Sequence, residues 1–291
     1  RVEIVHAPEV ITNDDVPTKA VKTKKNSSTV VAFELLKEGR ADALVSSGAT
    51  GAVLTAAVLV LGRIKGISRP ALCPRIPNLK GTGTLLCDCG ANLDCKPVNL
   101  AHFAIMATAY AQAAYGMKNP KVGLLSNGTE DHKGSELQHE TFPLLKAADA
   151  AGRIRFIGNV EASQVFNGDV DVVVTDGFTG NVLLKGIEGS IKYMTRQLKG
   201  IFMKNFKTKM AALAIRDEFH ALKASLDPNE VGGTAMLGIS KPVIKAHGSS
   251  DALAIRNAIR QAIGAVEADV AGTLAANIDH MVVPKEYQHA E

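Results

Sequence analysis

Short runs of β-branched residues alternate along this chain with longer stretches that have helical spacing. The runs lie at 2–5, 43–46, 84–88, 121–125, 154–158, 171–175 and 242–245. The helical stretches lie between and after them, at 28–38, 52–61, 99–115, 139–150, 182–198 and 251–276. Such alternation is typical of α/β proteins in which helices cover both faces of a largely parallel sheet. We therefore predict an α/β fold of this kind, forming one catalytic unit over residues 1–291.

The composition indicates a globular protein and argues against a nucleic-acid-binding one. With 46% hydrophobic and 21% charged residues, the chain can bury a large core. Its net charge of +4 is only mildly basic, and 4% aromatic residues leave few side chains for base stacking. The longest apolar stretch, 52–61, is about half of what a bilayer crossing needs, and no leader pattern opens the chain. We expect a cytoplasmic protein, and because it begins at Arg1, an N-terminal element missing from this sequence.

One segment, 190–229, interrupts the alternation with a long helical pattern. Its apolar residues recur every three to four positions, and residues 190–215 carry six basic and no acidic side chains. A basic amphipathic helix can bind an anionic lipid surface or an acidic protein. It can equally be a solvated helical hairpin packed on its own partner or on a second subunit. The candidate binding face comprises Lys192, Arg196, Lys199, Phe202, Lys204 and Phe206.

Two loops have the design of an anion site. In the first, residues 45–52, a strand ends in a Gly-rich turn that opens into a helix, with the hydroxyls of Ser47 and Thr50 as extra donors. The second, residues 176–181, has the same design, and Lys185 follows about one turn into its helix. Neither loop matches the dinucleotide or P-loop pattern. A tight structural turn remains the alternative for the first loop.

Three further polar loops follow predicted strands, at 88–94, 127–134 and 245–248. Because the carboxyl ends of parallel strands share one edge of a sheet, all five loops are expected to converge on one cleft. Its residues form no Ser-His-Asp order and no nucleophile elbow, so a covalent serine mechanism is disfavoured. Each loop taken alone could be purely structural, and a lone His247 is often so.

Four cysteines, Cys73, Cys87, Cys89 and Cys95, lie close together in the sequence. They lack the second paired spacing of a typical zinc site. We expect buried free thiols, with a catalytic or redox thiol and zinc as the alternatives. No metal site is predicted.

These loops resemble those of the bacterial phosphate acyltransferases of the PlsX family. The resemblance is collinear from about Ile4 to Ala265, and Asp-Gly-Phe-Thr-Gly-Asn-Val at 176–182 is its most specific piece. It implies a fold similar to phosphotransacetylases and isopropylmalate- and isocitrate-type dehydrogenases. It also implies transfer of a long-chain fatty acyl group from acyl-carrier protein to inorganic phosphate, without a cofactor, giving acyl phosphate for phospholipid synthesis.

The resemblance further implies a homodimer, peripheral contact with the membrane surface, and a downstream glycerol-phosphate acyltransferase as partner. Within the site, our hypothesis assigns catalysis to Lys185, His247, Asn127 and Lys133. It assigns phosphate binding to Ser47, Gly48, Thr50, Gly51, Thr179, Gly180 and Asn181. It assigns further substrate contacts to Asp88, Asn92, Asp94 and Asp176.

The sequence departs from the family pattern at two places. Ala49 stands where the family usually has Asn, and the family's opening strand with a Gly-Gly-Asp loop has no counterpart after Arg1. Two rival functions also stay open. A phosphotransacetylase that uses acetyl-coenzyme A could employ the same fold, and a membrane-surface scaffold could bind carrier protein without turnover.

Overall fold

The computed structural model of the chain describes residues 2–226 and 228–277. Its strands are β1 (Leu44–Ser46), β2 (Ala71–Cys73), β3 (Arg75–Ile76), β4 (Thr84–Cys87), β5 (Lys121–Leu125), β6 (Arg155–Val160), β7 (Val172–Val174), β8 (Gly233–Leu237) and β9 (Val243–Ala246). Its helices are α1 (Pro17–Thr23), α2 (Ser28–Lys37), α3 (Thr50–Ala56), α4 (Pro97–Tyr115), α5 (Glu136–Ala150), α6 (Gly177–Phe202), α7 (Phe206–Ala214), α8 (Arg216–Leu226), α9 (Pro228–Val231), α10 (Ala252–Glu267) and α11 (Val270–Ala276). The α/β class is confirmed.

The strands form two sheets rather than one. The larger has the order β3-β4-β7-β5-β6, and all its neighbours are parallel except β3, which runs antiparallel to β4. The smaller has the order β1-β9-β8-β2, in which only β1 and β9 are parallel. The parallel strands of each sheet end at polar loops, which places the candidate site residues at the carboxyl edges.

Helix α4 fills the space between the two sheets. Most of its residues are buried on every side, including Phe103, Met106 and Tyr110. A helix that is apolar all round belongs in a core. The same apolar cluster includes residues of β4, β5 and β7 from one sheet and of β2, β8 and β9 from the other. One continuous core therefore holds the two sheets together.

The structure differs from the predicted elements in three places. Residues 2–5 form no strand, because no neighbouring strand pairs with them, and Val2 and Ile4 are exposed. Strands β2, β3 and β8 were absent from the prediction, since β2 and β3 are only two or three residues long and β8 begins at a Gly-Gly pair. The predicted helix 251–276 is divided near Asp269, which has a φ of 42°.

The helical segment at 190–229 consists of the end of α6 followed by α7, α8 and α9. Five residues of the proposed binding face are exposed, namely Lys192, Arg196, Lys199, Lys204 and Phe206. Phe202 is instead half-buried and packs edge-to-face against Phe219 of α8, with 5.6 Å between the ring centroids. This contact is internal to the helical segment, so Phe202 holds α6 and α8 together.

Candidate functional site

The loops after β1 and β9 lie side by side. Ser46 is in register with Lys245 in the parallel pair, so the segments after β1 and β9 leave the sheet side by side. A Cβ atom at Gly248 would lie 4.0 Å from the carbonyl oxygen of Ser47. The first loop and the His247 loop therefore form one wall of a site at this edge.

The loop after β4 packs tightly against the start of α6. The Gly177 N–H donates to the Asn92 carbonyl at 2.8 Å. A Cβ at Gly177 would lie 2.5 Å from Asp88 Oδ2, and one at Gly180 would lie 2.0 Å from the Asp88 carbonyl oxygen. Only glycine fits at both positions, because the Asp88 loop occupies the space of a side chain. This explains the Asp-Gly-Phe-Thr-Gly sequence.

Three acidic or amide residues predicted to contact substrate are engaged within these loops. The buried Asp88 carboxylate accepts hydrogen bonds from the N–H groups of Leu72, Cys89, Ala91 and Asn92 and from the Asn92 side chain. Burial raises the pKa of Asp88, while these donors oppose the rise. Asn92 also donates to the Pro70 carbonyl, and Asp176 caps α6 by accepting from Thr179 N at 2.8 Å. All three side chains therefore stabilise the loops that surround the site.

A cavity of about 830 Å³ opens between the two sheets at this edge. Its polar residues come from several of the predicted loops and from α6, and include Thr50, Gly90, Asn181, Lys185, Glu188, Lys245 and His247. Gly90 and Asn181 are neighbours, since a Cβ at Gly90 would lie 3.6 Å from the Asn181 amide carbon. Ligand sites of roughly this volume, about 300 to 1,000 Å³, are common in proteins.

Two lysines, Lys185 and Lys245, line the cavity. Lys185 forms an ion pair with Glu188 at 2.8 Å. Lys245 is half-buried, donates to the neighbouring Ala246 carbonyl, and forms no ion pair among the described residues. Burial lowers the pKa of Lys245, and the charge of Lys185 lowers it further. An anion bound between them would relieve this repulsion.

His247 lies exposed at the rim of the same cavity. Its Nδ1 accepts a hydrogen bond from the Ser249 N–H at 3.2 Å, and the Ser249 hydroxyl lies 2.8 Å from the same atom. A backbone N–H can only donate, so neutral His247 carries its proton on Nε2. The ring can therefore present an N–H donor to a ligand.

The remaining wall of the cavity is largely apolar. It is formed by residues of the β2–β3 segment, α4, α6, α8 and α10, among them Leu72, Pro74, Ile76, Pro77, Tyr110, Ala114, Tyr115, Leu184, Ile187, Ile191, Leu226 and Ala265. One cavity thus joins cationic and hydrogen-bonding groups to a long hydrophobic surface. That combination suits a ligand with an anionic part and an aliphatic part.

Several predicted site residues lie outside the cavity lining. Ser47, Gly48 and Asp94 belong to loops around it, and Gly51, Thr179 and Gly180 lie in the first turns of α3 and α6. Gly51 packs on α1, since a Cβ there would lie 2.8 Å from Pro17 Cγ, and the Gly48 N–H donates to Ser46 Oγ at 3.2 Å. The structure brings Thr50, Asn181, Lys185 and His247 together.

The loop that carries Asn127 and Lys133 follows β5 at the same sheet edge but does not line the cavity. It folds over the end of β6, where Asn159 Nδ2 donates to the Glu130 carbonyl at 2.8 Å and to the Lys133 carbonyl at 3.4 Å. All five loops were expected to converge on one cleft. The loop after β5 does not reach the cavity, because β7 lies between β5 and β4 in the sheet.

The cysteines are all free thiols, and Cys73, Cys87 and Cys89 are buried. Burial raises the pKa of Cys89, which lines the cavity, to about 12, and that of Cys95 to about 11. A thiol with so high a pKa is almost entirely protonated at neutral pH and is a poor nucleophile. The described residues contain no group of three or more His, Cys, Asp or Glu side chains placed to hold a metal.

Sequence reasoning missed several residues of the cavity. Lys245 lies in the predicted polar loop 245–248 and lines the cavity, but our hypothesis assigns it no role. Glu188 lies one turn after Lys185, a spacing that could have indicated the ion pair. No local sequence pattern indicated Arg75, Tyr110 or Gln261. These residues reach the cavity only because α4, α10 and β3 pack together.

The fold and the sequence both have known relatives. The family model described as "Fatty acid synthesis protein" matches residues 1–273. A phosphate acyltransferase of Clostridioides difficile is 50% identical over 263 residues, which cover 90% of this chain and 76% of the relative. The phosphate acyltransferase of Bacillus subtilis is 46% identical over 274 residues, 94% of this chain and 81% of the relative. The chain belongs to the phosphate acyltransferase family.

Solved structures with a similar fold include a phosphotransacetylase from Streptococcus pyogenes. It has a TM-score of 0.53 and 20% identity, and the match covers 90% of this chain and 78% of that one. The EutD phosphotransacetylase from Staphylococcus aureus gives 0.52 and 18%, covering 84% and 68%. At this identity the likeness concerns the fold, and it confirms the predicted phosphotransacetylase-like architecture.

Within this phosphate acyltransferase, Ala49 occupies the N-cap position of α3 and makes no side-chain cap. An Asn there could accept a hydrogen bond from the first turn. The start of α3 therefore retains backbone N–H groups without a side-chain acceptor.

None of the helices in the described part of the chain is both long and apolar enough to span a bilayer.

Proposed function

We propose that this member of the phosphate acyltransferase family transfers a long-chain fatty acyl group from acyl-carrier protein to inorganic phosphate in the described cavity. The observation that carries the proposal is that Lys185 and Lys245 line the same cavity, most of whose remaining wall is apolar. Phosphate would lie between these ammonium groups. The acyl chain would lie along the hydrophobic wall.

The proposed reaction is a direct displacement. An oxygen of phosphate attacks the thioester carbonyl carbon, the new C–O bond forms, and the C–S bond breaks. The electron pair leaves on sulfur, and the thiolate of the phosphopantetheine arm takes a proton to become a thiol. A thiol of pKa roughly 8.5 is a good leaving group, so alignment and oxyanion stabilisation are the main demands on the enzyme.

The cavity residues suit distinct parts of this reaction. Thr50 and Asn181 offer hydrogen bonds to phosphate, and the two lysines offer charge. His247, with a proton on Nε2, can donate to the carbonyl oxygen or to the departing sulfur. Ser47 and Gly48 shape the first loop, and Gly51, Thr179 and Gly180 shape the starts of α3 and α6. Asn127, Lys133 and Asp94 remain candidates for contacts with the carrier-protein arm at the same edge.

The proposed function is tested by assaying acyl phosphate directly. Palmitoyl-acyl-carrier protein is mixed with phosphate, and the product is trapped with hydroxylamine as the hydroxamate. We expect phosphate-dependent loss of thioester with matching hydroxamate. The assay compares this 291-residue chain with a version extended at its N-terminus, so turnover by either supports the transferase.

Two controls separate the rival functions. Acetyl-coenzyme A replaces the acyl-carrier protein in one arm, and a clear preference for it would favour a phosphotransacetylase. A binding arm without phosphate detects carrier-protein capture. Binding with no hydroxamate from either version would contradict the transferase and favour a scaffold.

We also propose a surface for partners on the helical segment. Lys192, Arg196, Lys199 and Lys204 are exposed there beside exposed apolar side chains such as Phe206. Such a surface suits an anionic membrane or the acidic carrier protein. Peripheral membrane contact in the cytoplasm would deliver acyl phosphate to a downstream glycerol-phosphate acyltransferase.

A homodimer is supported by exposed Ile259, Ile263 and Val266 on one helix, α10.

Neutralising this surface is expected to weaken membrane binding. Changing its four basic residues to Gln removes about 1 kcal/mol each near an anionic bilayer, or about 4 kcal/mol in all, so vesicle affinity should fall at least about tenfold. The readout is sedimentation with phosphatidylglycerol vesicles against phosphatidylcholine vesicles. The matched control changes four exposed lysines elsewhere, Lys25, Lys37, Lys65 and Lys118. Equal loss in both variants would show only an effect of net charge, and loss of carrier-protein affinity alone would assign the surface to that partner.

A further inference from the structure

We propose that the end of the cavity between Arg75, Tyr110, Tyr115 and Gly264 holds the terminal methyl segment of the acyl chain and sets the chain-length preference. This inference rests on the proposed function, because it assumes that the thioester lies near Lys185 and Lys245. It is carried by the direction in which the cavity walls run and by the open space in front of Gly264.

The segment 72–77 forms one wall of the cavity, and its course indicates that the cavity is elongated. Leu72 marks its polar end, because the Leu72 carbonyl accepts from Cys89 N at 2.9 Å. The chain then runs along the cavity through Pro74 and Arg75 to Pro77. Arg75 and Ile76 pair antiparallel with β4, so this segment leads away from the carboxyl edge of that strand. Five residue steps at about 3.3 Å each give a wall of up to roughly 16 Å.

Helix α10 forms a second wall with the same direction. It starts after the His247 loop, and Asn257 lies against Gly232 next to the polar end, where Gly233 pairs with Ala246. Gln261 and Gly264 follow along the cavity. From Asn257 to Gly264 the helix rises by roughly 10 Å. The two walls therefore place Gly264 away from the lysines.

The far end is lined by a pair of aromatic side chains at the end of α4, Tyr110 and Tyr115. The rings of Tyr110 and Tyr115 pack edge-to-face at 5.5 Å, and Gln261 Nε2 donates to the Tyr110 hydroxyl at 3.2 Å. Arg75 lies over the Tyr115 ring at 4.6 Å and donates to the Thr82 carbonyl, so its charge is already engaged. A hydrophobic chain end can contact the ring faces and the nearby Ala114.

Gly264 is the position that can shorten this end without disturbing the fold. It lines the cavity, and a Cβ added there would meet no atom within 4 Å beyond its own helix. A side chain at Gly264 would therefore project into open space. Glycine in the middle of a helix costs stability, so its replacement should also favour α10.

The test compares Gly264→Leu with Gly264→Ala in the hydroxylamine assay. The substrates are the octanoyl and palmitoyl thioesters of acyl-carrier protein at fixed phosphate. We expect Gly264→Leu to lower kcat/KM for palmitoyl at least about tenfold relative to octanoyl, because changes in a hydrophobic pocket discriminate by such factors. Gly264→Ala should leave the ratio nearly unchanged. Ala114→Leu, on another wall of the same end, should shift the ratio in the same direction.

Equal losses for both chain lengths would overturn the inference, since the far end would then hold a part common to both substrates, such as the phosphopantetheine arm. An unchanged ratio in both leucine variants would overturn it as well, while leaving the proposed function intact. If the unmodified enzyme formed no hydroxamate from any thioester, the proposed function would fail first and the inference with it.

Discussion

Replacing Lys185 with methionine is expected to lower kcat/KM for phosphate by about one hundred- to one thousand-fold, the usual loss when a preorganised charged or hydrogen-bonding group is removed from an active site. Lys185 lines the cavity from α6 and has the Lys245 ammonium as its neighbour. Methionine keeps the length of the aliphatic stem and removes the charge. The measurement is a steady-state series in phosphate at saturating palmitoyl-acyl-carrier protein.

Protein stability should change little in the Lys185→Met variant. The Lys185 side chain is 49% exposed, and its ion pair with Glu188 contributes at most about 1 kcal/mol at such a site. The matched control is Lys37→Met, which removes an exposed lysine from α2 and should leave kinetics unchanged. Lys185→Arg should recover part of the activity because the charge remains. Near-normal turnover by Lys185→Met would contradict the central role of this lysine.

Gly180→Ala is expected to be the most damaging small substitution for the fold of the site. Its Cβ would lie 2.0 Å from the Asp88 carbonyl oxygen, a backbone atom that cannot move aside alone. Overpacking of this kind costs about 1 to 3 kcal/mol, so the Tm should fall by roughly 2 to 12 °C. Because Asn181 and Lys185 follow on the same helix, turnover should also fall sharply. Thermal unfolding and the hydroxylamine assay measure the two effects.

The matched control for Gly180→Ala is Gly186→Ala, six residues further along α6. A Cβ at Gly186 would meet no atom within 4 Å outside its own helix. The same substitution should therefore stabilise the protein by about 0.5 to 1 kcal/mol, because alanine favours a helix interior more than glycine does. Opposite signs at the two positions would support the packing explanation. Equal effects would show that helix propensity, rather than the contact with Asp88, governs both.

Much of the site could be predicted because its loops have local signatures. A strand followed by a Gly-rich turn and a helix is readable from the chain alone, and this pattern led to Thr50, Asn181 and Lys185. The same pattern could not distinguish a glycine that approaches a ligand from one that approaches backbone. At Gly180 and Gly51 an added Cβ would lie against Asp88 and Pro17. That distinction depends on neighbours from distant parts of the sequence.

Sequence by itself determined the α/β class, the carboxyl-edge position of the polar loops and the family. The first two follow from periodicity and from local turn chemistry, which depend on residues close together in the chain, and the family follows from the resemblance of the loop sequences to known proteins. The division into two sheets, the pairing of Lys185 with Lys245 in one cavity and the elongated apolar end were decided by tertiary structure. Each requires segments such as β3, α4 and α10 to meet from far apart in the chain. Their meeting is fixed by how the core around α4 packs, and no short stretch of sequence contains that information.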